Sequence, residues 1–321
     1  MSGYAWMSDR KLPRPRAELA QFQPYRTQML KADVRINANE WPEPNVAGRY
    51  ITAEELNGVL LNRYPGRGDD LREILSARWG TKPDRLILGN GSNELLLQVF
   101  LVFGGHGRKT LLFHPTYSMH GRLTQLAGGT VVEEMVGLPY EVTKERALAT
   151  MAKVRPEIVV FTTPNNPTGG EIDAGVILAV AERFPETLVL VDEAYSDFAG
   201  KSLVSRMDTL AVAARIARDE ESIGHRLELA KRERERVLAA LRRVSAIEVF
   251  PSVTNFILFR LRNEKPPDVH ARFLEQSVLI RDISIWPGCD GCLRASIGTP
   301  AENDRFIAAL DTVFAASAAR R

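Results

Sequence analysis

Short, continuous apolar runs alternate with helical periodicities over the first two-thirds of the chain. Ile158-Val159-Val160-Phe161 and Leu188-Val189-Leu190-Val191 are apolar at every position, as in strands covered by helices on both faces. Read with the polar breaks between them, the pattern predicts strands over 85–88, 110–113, 130–136, 158–162 and 187–191. Helices are predicted over 69–79, 92–103, 118–127, 143–154 and 174–184, with Ser92 as an N-cap. Such alternation implies an α/β domain built on a mostly parallel sheet.

After residue 191 the alternation stops. Residues 207–244 read as helix throughout. Strands are then predicted over 247–250, 255–260, 278–281 and 293–297, with helices over 269–276 and 301–315. Phe306, Ile307, Leu310, Val313 and Phe314 mark the buried face of the closing helix. The expected organisation is an arm over 1–35, a large α/β domain over 36–206 that lacks an internal unit, and a small α+β domain over 207–321.

Composition narrows the function classes. The 42 Lys and Arg nearly balance the 40 Asp and Glu, so no strong field points to nucleic acid or a membrane surface. The run Lys231-Arg232-Glu233-Arg234-Glu235-Arg236 mixes signs and reads as a solvated helix face. No apolar stretch is long enough to cross a bilayer, and residues 1–23 lack an apolar signal core, so the cytoplasm is the expected compartment. The two cysteines form Cys289-Asp290-Gly291-Cys292, which reads as a plain loop because a zinc site would need a second pair.

Candidate chemistry sits at strand ends. Gly89-Asn90-Gly91-Ser92-Asn93 lies between a predicted strand and a helix, where backbone N–H groups and the helix terminus favour an anion. An ordinary strand-to-helix turn is the alternative reading. Asp192 ends an apolar strand, the place where open α/β sheets bind ligands. A carboxylate there can hold a protonated ring nitrogen and make a pyridine ring an electron sink, or it can simply cap a helix. Asn166 and Tyr195 could bond a phenolic oxygen. Tyr117 could stack on a flat ring or serve as core.

As an ordered set, these segments resemble a known family. They are Asn37-Ala38-Asn39-Glu40, Asn62-Arg63-Tyr64-Pro65, Gly89-Asn90-Gly91-Ser92-Asn93-Glu94, Pro115-Thr116-Tyr117, Pro164-Asn165-Asn166-Pro167-Thr168-Gly169, Asp192-Glu193-Ala194-Tyr195, Thr254-Asn255-Phe256 and Leu293-Arg294-Ala295-Ser296-Ile297-Gly298-Thr299. From about residue 36 onward the chain is similar to the aspartate-aminotransferase-like enzymes that depend on pyridoxal 5'-phosphate. Within them it most resembles the histidinol-phosphate aminotransferases of histidine biosynthesis. The resemblance implies amino transfer between histidinol phosphate and 2-oxoglutarate in a cytoplasmic homodimer. It implies that Gly91, Ser92 and Asn93 hold the cofactor phosphate and that Tyr117 stacks on the ring. Asn166 and Tyr195 would bond the ring hydroxyl oxygen, and Asp192 the ring nitrogen. Tyr64 would reach the neighbouring subunit's cofactor, Arg294 would grip a substrate carboxylate, and Asn39 would lie near the substrate.

One departure bears on catalysis. The family follows its Asp-Glu-Ala-Tyr segment with a strand, a Ser-x-Ser/Thr-Lys turn and a Gly-Leu-x-Gly-x-Arg stretch, and none of these occurs here. Lys201 lies too close to the Asp192 strand to align with that lysine, and Lys231 lies on the charged helix, so no catalytic residue is assigned. Two alternatives stay open: a non-catalytic or defective relative that binds a phosphate ligand or partner subunit, and an aminotransferase for another aromatic or acidic amino acid.

Overall fold

The structure is a computed structural model and describes residues 16–19, 30–43, 52–58, 69–204 and 220–318. In chain order the first elements are β1 (Val34–Arg35), α1 (Ala53–Asn57), α2 (Asp69–Trp79), α3 (Ser92–Phe103), β2 (Lys109–His114), α4 (Ser118–Leu126) and β3 (Thr130–Met135). Then come α5 (Lys144–Val154), β4 (Ile158–Thr162), α6 (Ala174–Arg183), β5 (Leu188–Asp192) and α7 (Ser196–Ala199). The second part holds α8 (Glu220–Arg242), β6 (Ile247–Val249), β7 (Phe256–Leu261), α9 (Pro266–Glu275), β8 (Val278–Leu279), β9 (Arg281–Asp282), β10 (Cys292–Ser296) and α10 (Pro300–Ala318).

The large domain is a parallel sheet in the order β3-β2-β4-β5. Successive side chains leave a strand on opposite faces, so each apolar run feeds two cores. Leu112, Ile158, Val160 and Leu190 meet Leu96 and Phe100 of α3 and Leu123 of α4. Leu111, Phe113, Val159, Phe161, Val189 and Val191 meet Ala147 and Met151 of α5 and Val176, Ile177 and Val180 of α6. Local signals set the helix starts. Thr143 caps α5 by accepting from the Arg146 N–H, and Asp173 caps α6 by accepting from the Gly175 N–H.

Among the described residues β5 is the last strand on its side of the sheet. The predicted strand over 85–88 does not form. Pro83–Arg85 makes a 3₁₀ turn, residues 86–88 pair with no strand, and Ile87 stands 58% exposed. A strand exists only against a partner edge, and the sheet ends at β5 without reaching this segment. Leu101 and Val102 on α3 are likewise 59% and 70% exposed.

The small domain is an antiparallel sheet in the order β6-β7-β10-β9, packed under α8, α9 and α10. The single strand predicted over 278–281 divides in two. β8 pairs parallel with β1, and β9 pairs antiparallel with β10. Val34 and Ile36 thereby join the core of α8 and α10. Thr299 and Glu302 close a reciprocal capping box at the start of α10, Thr299 N–H to Glu302 Oε2 at 2.8 Å and Glu302 N–H to Thr299 Oγ1 at 3.3 Å. Among the described residues no helix is long and apolar enough to cross a membrane.

Candidate active site

Three loops leave the C-terminal ends of β2, β4 and β5 side by side, and the small domain closes over them. Thr162 pairs with Asp192 at the last rung of β4 and β5, and its Oγ1 lies 2.9 Å from Thr116 Oγ1 beyond β2. Asp192 is buried here. Its Oδ1 accepts from the Ala194 N–H at 3.0 Å, and its Oδ2 lies 3.0 Å from His120 Nε2. Burial pushes the Asp192 carboxyl up, but the His120 hydrogen bond and charge and the Ala194 N–H outweigh it and hold it below the usual carboxylate range. His120 is fully buried on α4, and the ring of Tyr117, one turn earlier, meets it edge-on at 5.4 Å.

Asn166 and Arg294 meet across the two domains. Arg294 is buried on β10, donates from Nη1 to Asn166 Oδ1 at 2.7 Å and from Nη2 to the Asn37 carbonyl at 3.2 Å. Its guanidinium lies over the Phe256 ring, 5.1 Å from the centroid. Asn39 adopts φ 57 and donates from Nδ2 to the Tyr195 hydroxyl at 2.9 Å, while its Oδ1 accepts from Ser296 Oγ at 2.7 Å. Asn is among the side chains that best tolerate this left-handed backbone. Tyr195 packs edge-on against Phe256 at 5.1 Å. So Asn166, Arg294, Tyr195 and Asn39 form one cluster, joined by direct contacts or through Phe256, and Asp192 ends the strand that leads into Tyr195.

The turn Gly91-Ser92-Asn93 opens α3, with Gly91 at φ 81, and Asn93 Nδ2 lies 3.5 Å from the Tyr117 hydroxyl. This contact ties the helix N-terminus to the rest of the cleft. Tyr64 lies outside the described residues. His120, Asn37, Ser296 and Phe256 were not read from the sequence as site residues. Only the three-residue step from Tyr117 to His120, one helical turn, could have drawn attention to His120.

The lysines lie elsewhere. Lys201 is 76% exposed and sits 3.4 Å from Glu171 Oε2. Its loop is pinned by Glu193, which accepts from the Leu203 N–H at 2.7 Å and from Ser202 Oγ. Lys231 is paired with Glu228 at 2.8 Å on α8. Cys289 and Cys292 are free thiols in the small-domain interior, and burial with the neighbouring Cys292 pushes Cys289 up to about 12. A thiol held neutral in this way is a poor nucleophile and metal ligand. Among the described residues no group of three His, Cys, Asp or Glu could hold a metal ion.

Comparison with known proteins settles the family. The profile of aminotransferase class I and II matches residues 37–211 and 205–310. The chain belongs to this family. Its relatives include the histidinol-phosphate aminotransferases of Nocardia farcinica, 33% identical over 91% of this chain and 89% of that one, and of Aquifex aeolicus, 27% identical over 91% and 96%. Among solved structures, the histidinol-phosphate aminotransferase from Clostridium acetobutylicum matches with a TM-score of 0.74 at 21% identity, over 88% of this chain and 99% of that one. The enzyme from Sinorhizobium meliloti, solved with pyridoxal 5'-phosphate, matches at 0.71 and 19% identity, over 89% and 92%. These neighbours confirm the aspartate-aminotransferase-like fold, and pyridoxal phosphate is the cofactor of the family. The alignment to the Nocardia protein runs over 352 positions, more than the 321 residues of the chain. That relative therefore carries residues for which this chain has none, and the two profile matches meet at 205–211.

The cleft fits part of that cofactor. A buried carboxylate held ionised by His120, whose ring meets Tyr117, suits a protonated pyridine, and Asn166 and Tyr195 offer donors for a ring hydroxyl oxygen. The aldehyde finds no matching amine among the described residues.

Proposed function

We propose that the cleft binds pyridoxal phosphate together with an amino-acid substrate of the histidinol-phosphate aminotransferase type, with 2-oxoglutarate and glutamate as the partner pair. The observations that carry this reading are the buried Asp192–His120 pair at the end of β5 and the buried Asn166–Arg294 contact beyond β4, the strand paired with β5: an anion for a ring nitrogen and a cation for a substrate carboxylate. When bound, the cofactor supplies an electron sink for the substrate carbon. Asp192 keeps its negative charge through His120 and faces the ring nitrogen. Tyr117 covers the ring, and Gly91, Ser92 and Asn93 present backbone N–H groups to the phosphate. Asn166 and Tyr195 hold the ring hydroxyl oxygen. Arg294 receives the carboxylate as a planar fork, and Asn39 fixes Tyr195 on the substrate side.

The substrate assignment rests on the relatives named above. Identity near 30% across nine-tenths of the chain supports histidinol phosphate over other aromatic or acidic amino acids. Homodimer formation, with Tyr64 reaching the neighbouring cofactor, and a cytoplasmic setting belong to the same reading. The test is calorimetric titration of the full chain with pyridoxal phosphate, then with histidinol phosphate, aspartate and phenylalanine on the loaded protein. Saturable cofactor binding and a preference for histidinol phosphate support it. Absence of cofactor binding, or indifference among the three amines, contradicts it. Sedimentation at micromolar concentration tests the dimer, and a monomer would count against it.

A further inference from the structure

We infer that this chain holds pyridoxal phosphate without a covalent bond to any of its lysines, and that its preferred ligand is the condensation product of that aldehyde with an amino acid. The inference rests on the cofactor reading above and adds what is bound and how. The sequence holds nine lysines and none between 201 and 231. Seven of the eight in described segments are exposed, and Lys231, half-buried, is tied to Glu228. Lys201 follows Asp192 by only nine residues, yet its loop is fixed by the Glu193 bonds to Ser202 and Leu203, and its amine sits exposed at 3.4 Å from Glu171. Among the described residues no lysine charge acts on Asp192, whose ionisation is set by burial, His120 and the Ala194 N–H.

Condensation then needs a free amine. The amino nitrogen of an amino acid attacks the aldehyde carbon, a C=N bond forms, and the aldehyde oxygen leaves as water; no redox partner is required. The product carries a pyridine ring and an α-carboxylate in one molecule. The cleft offers a buried anion, Asp192, and a buried cation, Arg294, and Asn166 contacts Arg294 from the loop beyond β4. A ligand that meets both charges at once gains from joining two contacts, whereas pyridoxal phosphate alone meets only one of the two, Asp192.

Two measurements on the full chain test this. In the first, the protein is saturated with pyridoxal phosphate, reduced with borohydride and mapped by peptide mass over all nine lysines. Exposed lysines react with excess aldehyde only in part, so no single lysine is expected to carry one pyridoxyl group per chain; a stoichiometric adduct at one lysine overturns the inference while leaving the cofactor reading intact. In the second, the stable reduced conjugate phosphopyridoxyl-glutamate is titrated beside pyridoxal phosphate and pyridoxamine phosphate. The conjugate should bind about 10²-fold tighter than either, and Arg294→Gln should shrink that gap. Equal affinity of the three for the unmodified chain overturns the inference. Failure of all three to bind removes the cofactor reading as well.

Discussion

Replacing Asp192 by alanine should weaken pyridoxal phosphate binding by about 1.5–3 kcal/mol, the range for a hydrogen bond to a charged group. Each 1.4 kcal/mol is about tenfold, so the dissociation constant should rise by about 10- to 150-fold. The structure gives the reason for expecting a large effect. Asp192 is buried at a strand end and held ionised by His120, so a protonated ring nitrogen loses its counter-charge at a position largely removed from solvent. The same substitution removes the partner of His120 Nε2 and should lower the stability of the cofactor-free protein by about 1–3 kcal/mol. Denaturant melts without ligand separate that structural loss from the binding loss. Fluorescence titration at a temperature where both proteins are folded reads the affinity. Equal affinity of variant and parent would refute the role given to Asp192.

The remaining expectations concern the scaffold. Asp192 should also make acid unfolding steeper: its folded pKa lies below the usual value of 3.8, so its contribution is complete above 3.8 and is lost as pH falls through the lower folded value. Urea midpoints of parent and Asp192→Ala across that window check this, and parallel curves would contradict it. Burial, set against the attraction of Glu133, lowers His114 from 6.5, so the unfolded chain takes up its proton first and stability should drop as pH falls below 6.5; His114→Gln should flatten that drop. Thr299→Ala breaks the capping box of α10 and should cost about 0.5–2 kcal/mol by chemical denaturation. Phe161→Ala, which removes a fully buried ring stacked on Phe113 at 5.4 Å, should cost about 3–5 kcal/mol.

What the sequence made legible follows from which interactions are local. The runs 158–161 and 188–191 became the bodies of β4 and β5 because apolarity on every position leaves a strand only one place, between helices. The segment 85–88, three apolar residues after Arg85, forms no strand, because pairing is a long-range property and no described strand offers it an edge. The run 278–281 split because β1 and β10, both distant in sequence, each claim two of its residues or their neighbours. The convergence of Asn39, Asn166, Tyr195 and Arg294 was readable only as an ordered resemblance to known enzymes. No periodicity links residues 128 and 156 positions apart. His120 escaped notice because a single histidine on a helix says nothing until the fold sets it against a carboxylate 72 residues away. The missing lysine, by contrast, is visible in the sequence alone, and the structure adds that Lys201 is exposed and paired with Glu171.

The most direct test of the central claim is a crystal structure of the full chain grown with pyridoxal phosphate. The account predicts a ring lying against Tyr117, with its nitrogen within hydrogen-bond distance of Asp192, its hydroxyl oxygen toward Asn166 and Tyr195, and its phosphate at Gly91, Ser92 and Asn93. A ring bound away from Asp192, or a cleft that stays empty at saturating cofactor, would contradict it.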